Sequence, residues 1–143
     1  MFVKQISVFL ENTKGGLNKL LQVVGRAGID LYALSIADTE QFGIMRCVAS
    51  DTERAMAVIR GAGYLARLND VLAVSVDNRP GGLSRVLSLL DEANISVEYI
   101  YSFARSVGEN ALIIVRTDDD AATARVLADA GVALVSQAEV AAL

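Results

Sequence analysis

Apolar and polar residues alternate along Val3–Leu10 and again along Val71–Asp77, the period of a strand buried on one face. Gly16–Ala27 and Gly82–Ala93 instead repeat apolar residues at i, i+3, i+4 and i+7, which puts them on one face of a helix. Gly28 and Asn94 follow, where a left-handed residue would close each helix. Ile29–Ala37 and Ile95–Phe103 read as second strands, and Gly43–Ala49 and Ala111–Thr117 as third strands. Ser50 with Glu53, and Thr117 with Asp120, have the spacing of a capping box. They would open second helices that carry Val58-Ile59 and Val126-Leu127, each closed by an Ala-Gly pair. Tyr64–Leu68 and Val132–Ala138 read as fourth strands.

These elements are two copies of one unit. Glu11-Asn-Thr-Lys-Gly-Gly-Leu17 aligns with Asp77-Asn-Arg-Pro-Gly-Gly-Leu83 at an offset of 66. The same offset superposes Ile6, Val8 and Leu10 on Leu72, Val74 and Val76, and Leu20 and Val24 on Val86 and Leu90. Beyond a two-residue insertion near Val107–Asn110 the offset becomes 68, so that Val58-Ile59 meets Val126-Leu127. Residues 1–70 and 71–143 are the expected domains. Each reads β-α-β-β-α-β, a ferredoxin-like unit of the α+β class with an antiparallel sheet and both helices on one face. A unit of this size buries only roughly 60 % of its unfolded surface. The two are therefore expected to pack as a pseudo-twofold pair, as one eight-stranded sheet or with first or fourth strands exchanged between copies. Asn69-Asp70 is the expected turn between them.

Composition narrows the chemistry. The 143 residues include no His and one Cys, so no His-based triad, His metal site, internal disulfide or cysteine-rich zinc site can form within the chain. Thirteen basic against 17 acidic residues give a net charge of −4, a poor match to nucleic acid. Apolar runs such as Ala111–Val115 are far too short to span a bilayer, and the first ten residues read as a strand rather than a secretory leader. The expectation is a cytoplasmic protein with no membrane contact. Cys47 lies mid-strand with no His to activate it, and reads as a core residue. Asp118-Asp119-Asp120 reads as the acidic start of a helix rather than a cation site.

The repeated Asn-x-x-Gly-Gly-Leu turn is the first candidate site. Each copy joins a strand to a helix start, where backbone N–H groups lack partners and glycines keep the approach clear. Gly15, Gly16 and Leu17, and Gly81, Gly82 and Leu83, can cradle a carboxylate. Asn12 and Asn78 bring amides that donate and accept, as a zwitterion requires. The bland alternative is that Asn and Gly only shape a tight turn, with Pro80 presetting the helix entry. The second candidate is the start of the second strand: Asp30, Leu31 and Tyr32, matched by Ser96, Val97 and Glu98. Tyr99, Tyr101 and Phe103 make an aromatic stripe that suits sheet packing, a subunit contact or a pocket wall.

The segment Asp-Asn-Arg-Pro-Gly-Gly-Leu83, following an alternating strand and opening an amphipathic helix, resembles the first-loop signature of the ACT domain. Ala-Asn-Ile-Ser-Val97 and Ala-Gly-Ile-Asp-Leu31 resemble the same family, so the likeness covers nearly the whole chain as a tandem pair. The resemblance implies a regulatory, non-enzymatic module that binds an amino acid between paired domains and requires no cofactor. It implies sites formed by Asn12, Thr13, Lys14, Gly15, Gly16 and Leu17 with Val97, Glu98 and Tyr99, and by Asn78, Arg79, Pro80, Gly81, Gly82 and Leu83 with Asp30, Leu31 and Tyr32. Thr13-Lys14 departs from the pattern that Arg79-Pro80 keeps, which points to a weaker or empty first site. The expected partners are a free amino acid or similar small zwitterion, a second copy of the chain in a homodimer, and an enzyme that the pair regulates. The competing readings are a ligand-free interaction module and, behind it, a small enzyme using carboxylates such as Asp30 and Glu98.

Overall fold

The computed structural model describes residues 2–38, 41–105 and 108–143. Among them are seven strands: β1 (Val3–Glu11), β2 (Leu31–Asp38), β3 (Phe42–Ala49), β4 (Ala66–Asp77), β5 (Val97–Ser102), β6 (Asn110–Thr117) and β7 (Leu134–Val135). Five helices accompany them: α1 (Gly16–Arg26), α2 (Thr52–Gly61), α3 (Gly82–Glu92), α4 (Asp120–Asp129) and α5 (Gln137–Ala141). The chain divides into two compact units, Lys4–Asn69 together with Leu143, and Asp70–Ala142 together with Phe2 and Val3. The division falls inside β4, so Asn69 and Asp70 are strand residues and not the turn expected there.

In the first unit β3 lies between β2 and β1, both antiparallel to it, and the start of β4 borders β1. In the second, β6 lies between β5 and β4, and β7 borders β4. Both are the ferredoxin-like order, fourth strand next to first, first next to third, third next to second. Even individual backbone bonds recur. Phe9 N–H donates to the Leu65 carbonyl at 3.0 Å, and its counterpart Ser75 N–H donates to Ala133 at 2.9 Å.

Each sheet buries the face that its two helices cover. Ile6, Val8, Met45 and Cys47 meet Leu20 and Val24 of α1 and Ile59 of α2 in one cluster. Leu72, Val74, Ile113 and Val115 meet Val86, Leu90 and Leu127 in the other. These are the same positions at offsets 66 and 68, so the repeat is a repeat of core. Each full burial contributes about 1.5–3 kcal/mol. Where the copies differ, the difference is compensated: Ala49 and Ala55 become Thr117 and Thr123, fully buried, whose hydroxyls bond each other at 2.8 Å.

The αL closures at Gly28 and Asn94 are present, with φ of 73° and 57°. The second helices begin differently from expectation. Asp51, not Ser50, caps α2 by accepting from Arg54 N–H at 3.1 Å, and Asp119, not Thr117, caps α4 by accepting from Ala122 N–H at 2.9 Å. Ser50 is used elsewhere, and Asp120 reaches back to Thr117 N–H at 2.9 Å. The last strand is also shorter than Val132–Ala138. Only Leu134–Val135 pair with β4, and Ser136 then caps α5 in a reciprocal capping box with Glu139. The Ser136 backbone N–H and hydroxyl hold the Glu139 carboxyl below its ordinary pKa. Val107, at the expected insertion, lies outside the described residues.

Cys47 is fully buried in the first core, and burial raises its thiol from 9.0 to about 12. The folded state thus disfavours the thiolate. This group's contribution to stability is intact below about pH 9 and declines as the pH rises toward 12. At about pH 8 the native chain should resist iodoacetamide while the urea-unfolded chain is fully alkylated, as read by intact mass. Equal labelling rates would contradict the burial.

Candidate functional site

β1 ends at Glu11 and α1 begins at Gly16, so Asn12, Thr13, Lys14 and Gly15 form the whole connection. Asn78, Arg79, Pro80 and Gly81 do the same between β4 and α3. Gly15 and Gly81 sit at φ 79° and 84°, a left-handed conformation that a Cβ would strain. Gly82 is required for another reason: a Cβ there would run into the Asp77 carbonyl oxygen. At Gly16 the corresponding Cβ would meet Thr13 Oγ1 at 3.0 Å and the Glu11 carbonyl at 3.3 Å. Each helix therefore starts almost on top of the last carbonyl of the strand before it.

This tight return uses some of the amides expected to be on offer. Gly16 N–H donates to the Thr13 carbonyl at 3.1 Å, and Gly82 N–H to Arg79 at 3.0 Å. Helical bonding resumes with Lys19 N–H to Gly15 at 3.1 Å and Arg85 N–H to Gly81 at 3.0 Å. No side chain caps α1 or α3. Within the first turn this leaves the amides of Leu17 and Leu83, which were expected, and adds those of Asn18 and Ser84. The Leu17 and Leu83 side chains pack against the cores and contribute only backbone.

The two loops then diverge. Asn12 N–H donates to the Gln41 carbonyl at 3.0 Å, which closes the first loop onto the turn before β3. Among the described residues the second loop has no counterpart to that bond. A hollow of 530 Å³ opens there instead, lined by Asp77, Asn78, Arg79, Glu109 and Asn110. Arg79 Nη2 lies 3.0 Å from Asp77 Oδ2 on its rim. Glu109 and Asn110 were not among the expected site residues. Their signal was the insertion that lengthens the second copy before its third strand.

The second-strand residues lie elsewhere. Leu31 pairs with Ala49 at one end of β3, whereas Glu11, where the loop starts, pairs with Phe42 at the other. In the second unit Val97 pairs with Thr117 and Asp77 with Asn110. Seven strand residues separate the ends, about 23 Å. Within either unit, Asp30–Tyr32 or Val97–Tyr99 is therefore remote from its own loop.

The strand starts are themselves braced. Asp30 N–H donates to Ser50 Oγ at 2.9 Å, and Ser50 N–H returns a bond to the Asp30 carbonyl at 2.8 Å. In the second unit Ser96 N–H donates to Asp118 Oδ1 and Asp118 N–H to the Ser96 carbonyl, both at 3.0 Å. Tyr32 is buried, Val97 is exposed, and Glu98 lies 3.7 Å from Arg116. Tyr99 stacks on Tyr101 with ring centroids 6.4 Å apart on the face away from the helices, beside Arg116 and Ile114, and Phe103 is buried. The acidic run is spent on structure: Asp118 on Ser96, Asp119 on the α4 cap, and Asp120 on Thr117 and on Arg116 at 3.3 Å. Among the described residues no group of three or more acidic or thiol side chains is placed to hold a metal, and no helix is long and apolar enough to cross a membrane.

Comparison with known proteins gives a consistent answer. A family model described as an ACT domain pair matches residues 1–143. Protein BT0572 from Bacteroides thetaiotaomicron is similar over 100 % of this chain and 98 % of its own, at 33 % identity and a TM-score of 0.91. The regulatory subunit of aspartate kinase from Thermus thermophilus, in a ligand-free form, shares the fold at 15 % identity and a TM-score of 0.61, over 89 % of this chain and 91 % of its own. The Thermus flavus regulatory subunit is alike at 16 % identity and 0.59, over 90 % and 92 %. Comparison with curated proteins by sequence gives no match.

The two glycines that begin the helices should differ in tolerance. Gly82→Ala forces its methyl against backbone, and overpacking of this kind costs typically about 1–3 kcal/mol. Gly16→Ala mainly displaces a flexible hydroxyl and should cost less. Urea melts of the two variants test this, and equal midpoints would contradict the close approach at Gly82.

Proposed function

The chain belongs to the ACT domain pair family, and from that premise we propose that it is a non-enzymatic sensor of a free amino acid. The observation that carries the reading is the hollow at Asn78 and Arg79, where, among the described residues, the second loop has no counterpart to the bond that closes the first. The amides of Leu83 and Ser84 receive the carboxylate, with the Arg79 guanidinium in support. Asn78 and the acidic rim serve the ammonium. Because Asp30–Tyr32 and Val97–Tyr99 lie a sheet length from the loops of their own units, a complete site combines the loop of one unit with a strand start of another unit. The pairs are Asn78–Leu83 with Asp30–Tyr32, and Asn12–Leu17 with Val97–Tyr99. The first is the stronger, since Pro80 stiffens its loop and the hollow is there. The protein acts in the cytoplasm as a homodimer and transmits occupancy to an enzyme partner.

Calorimetry and thermal shift against the twenty amino acids test the reading. One or a few should bind, and at 100 times the dissociation constant a ligand raises stability by about 2.7 kcal/mol. Asn78→Ala should abolish the response and leave the unliganded melt unchanged. A chain indifferent to all twenty at millimolar concentration is not a sensor of this kind. It would then be read as an interaction module, for which the stacked Tyr99 and Tyr101 supply the contact surface.

A further inference from the structure

Val8, Leu10 and Met45 lie in the core that the helices of the first unit cover. Phe9, Glu11, Phe42 and Ile44 alternate with them and so share the opposite, outer face of the sheet. There Phe9 pairs with Ile44, and Glu11 with Phe42. Ala66 also belongs to the core, so Leu65 and Arg67 on either side of it turn to the outer face. Phe9 N–H donates to the Leu65 carbonyl at 3.0 Å, and the Arg67 guanidinium lies 6.0 Å from the centre of the Phe9 ring. Leu65 is 60 % exposed, Phe42 57 % and Phe9 37 %.

The second unit builds the same sheet without this patch. At the matching positions Phe9 becomes Ser75, Phe42 becomes Asn110 and Leu65 becomes Ala133, and Asn110 Nδ2 donates to Ser75 Oγ at 3.0 Å. The fold therefore does not need aromatic residues there. An apolar patch shown to solvent in one copy, and replaced in the other by small or hydrogen-bonded residues, marks a contact surface. Its charges say what it contacts. Residues two apart on one face are separated by about 7 Å along a strand. Glu11 and Phe42 form the row on one side of Phe9, Ile44 and Leu65, and Arg67 stands in the row on the other side. An acidic or a basic partner would meet its own charge at one of these rows. A second copy, turned about a two-fold axis along the middle row, meets the opposite charge at both.

We propose that this outer face of the first unit is the surface on which two copies of the chain pair. Phe9, Ile44 and Leu65 of one copy lie on those of the other, and Phe42 is covered beside them. The Glu11 carboxylate of each copy faces the Arg67 side of the other, one strand over at about 5 Å, within reach of the long guanidinium side chain. Two ion pairs thus flank an apolar centre. The inference deepens the homodimer of the proposed reading by giving it a surface, and it needs no ligand.

Sedimentation velocity of the full chain over a concentration series, without added amino acid, tests the surface. The chain should be a dimer. Phe42→Lys should raise the dimer dissociation constant at least about thirtyfold while the far-UV circular dichroism stays that of the folded chain. Glu11 and Arg67 are both exposed. Glu11→Arg and Arg67→Glu should each weaken the dimer about tenfold, and the two together should restore it, a rescue that lost packing alone would not give. The proposal is overturned if the chain stays monomeric at submillimolar concentration, if Phe42→Lys dimerises like the unsubstituted chain, or if the double exchange is no better than the single ones. Because no amino acid is present, each of these results leaves the sensing reading to its own titration.

Discussion

The first helix of each unit leaves its strand by an immediate return, so that the helix backbone lies against the carbonyl of the residue that ends the strand. Only glycine permits this at Gly82, and only a left-handed residue can precede it at Gly81. Much follows from that contact. The return directs the amphipathic face of the helix onto the sheet, which sets Leu20 with Val24 and Val86 with Leu90 into their cores. It also lifts the four connecting residues to the end of the sheet, where they are exposed to solvent instead of packed in the core. A looser connection would free the glycines but lose the fixed direction of the helix start.

The duplicated units show which parts of this arrangement tolerate change. Most core positions vary among residues of similar bulk, Ala49 and Ala55 give way to a hydrogen-bonded threonine pair, and Met56 and Ala66 give way to Ala124 and Leu134. The brace at the second-strand start keeps its two bonds while its chemistry moves from a serine hydroxyl to the Asp118 carboxylate. The loop tips vary, Thr13-Lys14 against Arg79-Pro80, and one is bonded to Gln41 while the other, among the described residues, has no such bond and borders a hollow. The glycines of the helix return are kept in both copies, Gly15-Gly16 and Gly81-Gly82, while the loop tips beside them are not.

Much of this was legible in the chain because it depends on local periodicity and on a repeat. The strands, the four long helices and their αL closures at Gly28 and Asn94 all follow from patterns within a dozen residues. What was misread depended on competition between neighbours. Ser50 has capping-box spacing, but its hydroxyl is drawn across the sheet to Asp30, and the adjacent Asp51 takes the helix. Ser136 and Glu139 carry the same signal, which was hidden inside an apolar run read as strand. Asn69 and Asp70 look like a turn, yet their backbone continues β4, and Asn69 accepts a bond from the Ser7 hydroxyl at 2.8 Å. At the candidate site the glycine turn was visible. The consumption of the Gly16 and Gly82 amides and the approach of Glu109 were not, because both arise from the three-dimensional return of the chain.

The placement of the strand starts bears on how such a module could signal. A ligand shifts an equilibrium only by its difference in affinity between two arrangements. A guest held wholly by one loop would touch a single rigid unit, and its binding energy would be the same however the units were disposed. Under the proposed reading, a guest that also needs a strand start about 23 Å from that loop takes it from a second element, and every contact to that element counts toward one arrangement.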